Sequence, residues 1–128
     1  MTTDLELLIW ATALTFIQSV IAVLGAMLQV GLPALAGNRE NLPAIEGWAG
    51  RAQRAHRNML ESLVLFAALV LVAQIVGRAN AMTALGAQVF FWARLVYIPV
   101  YLIGIPWLRT GVWAVAVVGL LMIFVQLV

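Results

Sequence analysis

The sequence contains no cysteine and no lysine, and it has a single histidine, His56. The absence of cysteine excludes disulfides, thiolate nucleophiles and cysteine-bound metals. A histidine metal cluster needs several histidines, so no metal site is expected. All seven basic side chains are arginine, whose flat guanidinium can bind a carboxylate through two parallel hydrogen bonds.

Charge is also scarce, because only 9% of the residues are charged whereas 65% are hydrophobic. This composition lies outside that of soluble domains and indicates an integral membrane protein. The few basic residues form no stripe with interleaved aromatics on a soluble face, so no nucleic-acid partner is expected. The acidic start, MTTDLELLIW, is not typical of a secretory signal, so the first apolar run is expected to be a retained helix.

Four apolar runs predict an all-α membrane protein, a four-transmembrane-helix bundle formed by one domain over residues 1–128. A spanning helix needs about 20 apolar residues, so this length leaves no room for an extramembrane domain. The helices are expected at about residues 5–32, 50–77, 82–103 and 110–128. A loop rich in glycine and proline separates the first two, and loops of that length are usually functional or mobile.

The arginines also predict the orientation of the chain in the membrane. Arg78 is the basic residue at one side, together with an acidic N-terminus. Cytoplasmic loops carry an excess of basic residues, so loops one and three are expected in the cytoplasm and both termini on the opposite side. The basic residues of that cytoplasmic side are Arg39, Arg51, Arg54, Arg57 and Arg109.

A stripe of polar side chains runs along the start of helix two, in the stretch RAQRAHRNMLE. At about 100° per residue its members share one face of about 120°, whereas His56 points almost the other way. The members are Arg51, Arg54, Arg57, Asn58 and Glu61.

Helix three carries a second polar face, formed by Arg94, Tyr97 and Tyr101. Arg94 lies near the middle of its span, where a charge costs about 2.5–3.5 kcal/mol on insertion scales. It is therefore expected to face the bundle interior and to find a partner. Glu61, an acid inside the second predicted helix, is the natural candidate.

Structural explanations for these residues remain open. Arg57 and Glu61 have the i, i+4 spacing of a helix-face ion pair, Arg51 and Arg54 suit headgroup anchors, and the tyrosines suit packing. The functional alternative is a pocket that opens to the cytoplasm and continues into an apolar cleft. Its arginines would bind carboxylates and its glutamate an amine, which suits a small zwitterion held beside a lipophilic molecule.

Three motifs, RAQRAHRNMLE, ARLVYIPVY and RTGVW, resemble those of the MAPEG family, the membrane-associated proteins in eicosanoid and glutathione metabolism. The resemblance covers essentially the whole chain and is to bacterial-type members. It implies a four-helix protomer in a homotrimer, with glutathione bound as co-substrate between neighbouring protomers. It also implies a bacterial inner membrane, and a lipophilic small molecule as the second substrate.

The resemblance further implies roles for individual residues. Arg109 is expected to stabilise the glutathione thiolate, and Tyr101 to donate a hydrogen bond to the sulfur. The family pattern departs at Gly31, where several animal members carry arginine, and at Trp113, where tyrosine is common. The expected substrate-binding residues are Arg54, Arg57, Asn58, Glu61, Arg94, Tyr97 and Thr110.

The expected function is a glutathione-dependent transferase or peroxidase that acts on lipophilic electrophiles or hydroperoxides in the bilayer. Two alternatives stay open. One is a small-molecule transporter, in which a membrane carboxylate would relay protons or cations. The other is a non-catalytic membrane protein that has the fold without the chemistry.

Overall fold

The computed structural model describes residues 2–37 and 44–128, and the described chain is helical with short turns. Four long helices are apolar enough to cross a membrane, which confirms the all-α, four-span prediction. A fifth, short helix follows the first span. The helices are α1 (Thr3–Val30), α2 (Leu32–Ala36), α3 (Gly47–Ile75), α4 (Ala81–Ile103) and α5 (Pro106–Leu127).

The first span ends at Val30, slightly before the predicted boundary, because Gly31 has a positive φ of 83°. Side chains other than glycine rarely adopt such a φ. The chain then forms α2 inside the region predicted as loop, with Pro33 in its first turn. Arg39, one of the basic residues expected on the cytoplasmic side, lies outside the described residues.

The last span begins at Pro106, four residues before its predicted start at 110. Proline suits the first turn of a helix because its missing N–H would have no partner there. The preceding turn closes at Gly104, which is in the left-handed conformation with a φ of 86°. Arg109 and Thr110 therefore lie in the first turns of α5, and Arg109 N–H donates to the Ile105 carbonyl at 3.0 Å.

The core lies between the four spans α1, α3, α4 and α5, and all four contribute buried residues to it. The rings of Phe66 and Phe90 stack with centroids 4.3 Å apart. α4 and α5 approach most closely at Gly86 and Gly119, where a Cβ on either glycine would lie 2.7 Å from the carbonyl oxygen of the other. Small residues allow such close backbone contact between membrane helices.

Two sets of hydrogen bonds position the start of α3 at the end of the bundle that we call the arginine end, where Arg51, Arg54 and Arg109 lie. Gln29 Nε2 donates to the Glu46 carbonyl at 2.6 Å, and Glu46 N–H donates to Gln29 Oε1 at 2.9 Å. Arg51 Nε donates to the Leu102 carbonyl at 2.8 Å. The first half of α3 is thus joined to the end of α1 and to the end of α4.

Candidate functional site

Arg94 is buried in the bundle, with 1% of its surface exposed, as its depth in the span predicted. Its Nη1 donates to Asn58 Oδ1 at 2.7 Å, and its guanidinium carbon lies 4.2 Å from the centroid of the Tyr97 ring. Two further donors, Nε and Nη2, are buried and have no hydrogen-bond partner within the described chain. Unpaired buried donors cost about 1–3 kcal/mol each, so this guanidinium is suited to bind an acceptor.

The predicted partnership between Arg94 and Glu61 is wrong. Glu61 is exposed, and within residues 2–37 and 44–128 no arginine nitrogen lies within 4.0 Å of its carboxylate. Asn58 and Glu61 are three residues apart and therefore about 60° apart around the helix. Arg94 lies on the side of Asn58, so an amide rather than a carboxylate is its partner. The i, i+4 ion pair between Arg57 and Glu61 is not formed in the described chain either.

Arginine side chains flank a pair of neighbouring tyrosines where α3, α4 and α5 meet. The Tyr97 and Tyr101 rings lie 5.4 Å apart, and the Arg109 guanidinium carbon lies 4.9 Å from the Tyr101 centroid. Arg54 Nε donates to the Tyr101 hydroxyl oxygen at 3.3 Å. We call this group the arginine–tyrosine cluster, and its members are Arg54, Arg94, Tyr97, Tyr101 and Arg109.

A cleft of about 200 Å³ opens beside the cluster, lined by Asn58, Tyr97, Arg109, Thr110 and Trp113. Thr110 Oγ1 donates to the Pro106 carbonyl at 3.1 Å, so its oxygen is left to accept. Amide, phenol and guanidinium groups line the cleft, and none of its described lining residues is a carboxylate, so its chemistry favours an anionic ligand.

Trp113 is the cleft residue that the sequence argument did not include among the site residues. It follows Arg109 by four positions on α5, and residues at this spacing lie on the same helix face. With Arg109 on the helix, this spacing predicts that Trp113 lies beside Arg109. The predicted start of the last helix at residue 110 placed Arg109 in a turn and concealed this relation.

The structure places Arg57 and Glu61 away from the cluster. Arg57 lies beside His56 and Gln53 in a separate groove of about 450 Å³ between α1 and α3. Leu65, one helical turn after Glu61 on the same face of α3, is 57% exposed. Within the described chain, the predicted site is therefore divided. The arginine–tyrosine cluster unites one part of it, and Arg57 and Glu61 lie on an outer face of α3.

Among the described residues, no three histidine, aspartate or glutamate side chains come together. Comparison with curated proteins and with solved structures gives no significant match. The sequence profile of the MAPEG family, in contrast, matches residues 7–128. This match covers nearly the whole chain, including every residue of the arginine–tyrosine cluster and of the cleft. The chain therefore belongs to the MAPEG family.

Proposed function

We propose that this integral membrane protein is a glutathione-dependent transferase or peroxidase that acts on lipophilic electrophiles or hydroperoxides. The observation that carries the proposal is the arginine–tyrosine cluster, in which three guanidinium groups surround two phenols beside a cleft whose described lining includes no carboxylate. Membership of the MAPEG family supports glutathione as the anionic thiol.

The free donors of the cluster suit the two carboxylates of glutathione. Arg94 keeps Nε and Nη2 for an acceptor, and among the described residues Arg54 donates through Nε alone. Asn58 accepts from Arg94 through Oδ1, which leaves its amide nitrogen to donate. Guanidinium–carboxylate hydrogen bonds are charge-assisted, and such bonds are roughly twice as strong as neutral ones.

Arg109 and Tyr101 are the proposed catalytic residues. A cation beside a thiol favours the thiolate, which is the nucleophilic form, and Arg109 lines the cleft. The Tyr101 oxygen accepts from Arg54, so its own O–H is left to donate to the sulfur. The arginine stacked on the Tyr101 ring holds the phenol and the guanidinium at the same wall of the site.

The thiolate would then react in one of two ways. With an electrophilic carbon, sulfur forms an S–C bond. In a substitution, the electron pair of the broken bond leaves with the departing group. In an addition to a conjugated double bond, the electron pair of that bond is protonated by water on the neighbouring carbon. With a hydroperoxide, sulfur attacks the terminal oxygen, the O–O bond breaks and the alkoxide takes up a proton to leave as an alcohol. A second glutathione then converts the sulfenic acid of the first to a disulfide and water.

We further propose that the site is completed in a homotrimer, in which Arg57 and Glu61 contact glutathione on a neighbouring protomer. Their position on an outer face of α3, away from the cluster of their own chain, supports this arrangement. Native mass spectrometry is expected to show three copies of the chain. A stable monomer that retains activity would contradict the trimer.

The test of the proposed function follows the ultraviolet absorbance of the thiolate when glutathione is added to the detergent-solubilised protein. We expect a rise for the wild type and for Arg78→Ala, and no rise for Arg109→Ala. Arg78 is a matched control because it lies at the opposite end of the bundle, where Nη1 donates to the Leu127 carbonyl at 3.0 Å.

Calorimetry in parallel separates the remaining outcomes. Glutathione binding without a thiolate signal in the wild type would indicate a binding protein without the chemistry. The absence of both signals would overturn the proposed function.

A further inference from the structure

The cleft beside the arginine–tyrosine cluster is small. Its volume of about 200 Å³ is below the range of about 300–1,000 Å³ that is typical of pockets for drug-sized ligands. The cleft therefore cannot enclose glutathione and a whole lipophilic substrate together. It has room for the sulfur end of glutathione and for the reacting end of the second molecule, so the shape of that reacting end decides which substrates reach the sulfur.

Three of the side chains that line the cleft are held in place by contacts outside it. Asn58 Oδ1 accepts from Arg94 at 2.7 Å. The ring of Tyr97, which is 3% exposed, lies with its centroid 4.2 Å from the guanidinium carbon of the same arginine. Thr110 Oγ1 donates to the Pro106 carbonyl at 3.1 Å. These walls cannot move apart to admit a bulky group without the loss of one of these contacts.

Trp113 is the wall that sets the width of the cleft. It is the largest of the lining residues and is 43% exposed, and its indole makes no hydrogen bond or ring contact with any described residue. Trp113 follows Arg109 by four residues, which places it about 6 Å further along α5 from the arginine end. A molecule that comes from the apolar body of the bundle therefore passes the indole before it reaches Arg109.

The two proposed reactions require different shapes at the reacting end of the substrate. In a hydroperoxide, sulfur attacks the terminal oxygen, which carries one hydrogen and one neighbouring oxygen. In an aryl electrophile, the attacked carbon is part of a ring, and the ring must enter the cleft together with it. Reacting atoms have to approach to about 3–3.5 Å, so a bulky wall beside Arg109 excludes the ring and admits the terminal oxygen.

We propose that Trp113 is a specificity-determining residue that favours the reduction of alkyl hydroperoxides over the conjugation of aryl electrophiles. In the favoured reaction, the thiolate sulfur forms a bond to the terminal oxygen, the O–O bond breaks and its electron pair stays with the alkoxide. The alkoxide takes a proton from water. A second glutathione converts the sulfenic acid of the first to a disulfide and water. This proposal rests on the proposed function, because the thiolate beside Arg109 is the nucleophile in both reactions.

Steady-state kinetics with two probes test this selectivity. The detergent-solubilised protein receives glutathione and either hexyl hydroperoxide or chlorodinitrobenzene, and the selectivity is the ratio of the two kcat/KM values. We expect the wild type to reduce the hydroperoxide. Trp113→Ala should raise kcat/KM for chlorodinitrobenzene by at least roughly tenfold, as the enlargement of an apolar pocket gives, and should change kcat/KM for the hydroperoxide by less than about threefold.

Two further variants complete the test. Trp113→Tyr keeps a smaller aromatic ring and should give a selectivity between those of the wild type and Trp113→Ala; it decides the question if the alanine variant does not assemble. Trp107→Ala is the matched control, because this tryptophan lies on the same helix, is 87% exposed and is not among the described lining residues of the cleft. It should keep the wild-type selectivity. Thiolate absorbance, measured in parallel, should be the same in all four proteins.

Three results would overturn the role of Trp113: an unchanged selectivity in both Trp113 variants, an equal rise of kcat/KM for the two probes, or the same change of selectivity in Trp107→Ala. Any of these results with a thiolate signal would leave the proposed function standing. A thiolate signal without either reaction in the wild type would overturn the role of Trp113 and leave a thiol-activating site. The absence of the thiolate signal and of both reactions would overturn the proposed function and this role together.

Discussion

At the scale of single residues, burial decides which polar side chains act together. Arg94 is held between the Asn58 amide and the Tyr97 ring, whereas Glu61 is exposed although it lies only three positions from Asn58. A buried cation can bind a ligand by hydrogen bonds only when some of its N–H donors have no partner within the protein. Arg94 has two such donors, and this makes it the central residue of the cluster.

The different positions of Asn58 and Glu61 lead to a stability prediction. Asn58→Leu removes the acceptor of a buried charge-assisted hydrogen bond, so it should lower the free energy of unfolding by about 1–3 kcal/mol. Glu61→Leu alters an exposed side chain and should change it by less than about 0.5 kcal/mol. Chemical unfolding in detergent measures both free energies. A larger loss of stability for Glu61→Leu than for Asn58→Leu would indicate that Glu61, rather than Asn58, is the partner of Arg94.

The two tyrosines of the cluster are also distinguishable. Tyr101→Phe removes the hydroxyl that accepts from Arg54 and that we propose donates to sulfur. It should lower kcat for glutathione conjugation by at least roughly tenfold, which corresponds to about 1.4 kcal/mol in the barrier. Tyr97→Phe keeps the ring that packs on Arg94 and serves as control. Equal effects of the two substitutions would remove Tyr101 from the mechanism.

At the scale of helices, close approach and helix starts shape the site. The contact of α4 with α5 at Gly86 and Gly119 holds together the two helices that carry most of the cluster. The early start of α5 at Pro106 places Arg109 on the helix, where it can lie over the Tyr101 ring. The same two helices also line a cavity of about 490 Å³ on the outer face of the bundle.

The glycine contact gives a prediction for α5. A Cβ at position 119 would lie 2.7 Å from the Gly86 carbonyl oxygen and 2.7 Å from the Phe90 nitrogen, and backbone cannot move aside as a side chain can. Gly119→Ala should therefore cost about 1–3 kcal/mol of unfolding free energy. Gly111→Ala, on the same helix with open space around it, should be neutral or stabilising by up to about 1 kcal/mol.

Thermal and chemical unfolding of the two alanine variants in the same detergent test this contrast. The α4–α5 contact would prove unimportant if Gly119→Ala unfolded at the same denaturant concentration as the wild type. A loss of the same size in Gly111→Ala would instead indicate a general effect of alanine on α5.

At the scale of the whole molecule, the bundle of four spans has a mostly apolar body and one polar end. The cluster, the cleft and the α3 stripe all lie at the arginine end, while Arg78 lies at the other end, bonded to the Leu127 carbonyl. This asymmetry is what the positive-inside argument uses. The orientation it implies stays a prediction, with the arginine end in the cytoplasm.

The absence of cysteine makes this orientation directly measurable by single-cysteine labelling. Ile105→Cys lies in the turn at the arginine end, and Val76→Cys lies at the opposite end; the native side chains are 42% and 56% exposed. In right-side-out inner-membrane vesicles, a membrane-impermeant maleimide should label Val76→Cys and not Ile105→Cys. Inverted vesicles should give the opposite pattern, and labelling of both positions in sealed vesicles of one orientation would contradict a single topology.

The sequence by itself determined the membrane class, the four spans and the gathering of arginines at one end. Composition and hydrophobic run length are sums over many residues, so they survive errors of a few positions at helix ends. The motifs that resemble the MAPEG family were also readable from the sequence. Charged residues within membrane spans are costly, so those that occur there have a structural or functional reason.

Tertiary structure alone decided the partner of Arg94 and the separation of Arg57 and Glu61 from the cluster. Helical spacing shows which residues share a face to within about 60°, and it does not show which neighbouring helix that face meets. Asn58 and Glu61 differ by that angle, and only the packing of α3 on α4 chose between them. Packing likewise decided the close approach of α4 and α5 at Gly86 and Gly119, which no pattern within a single helix can reveal.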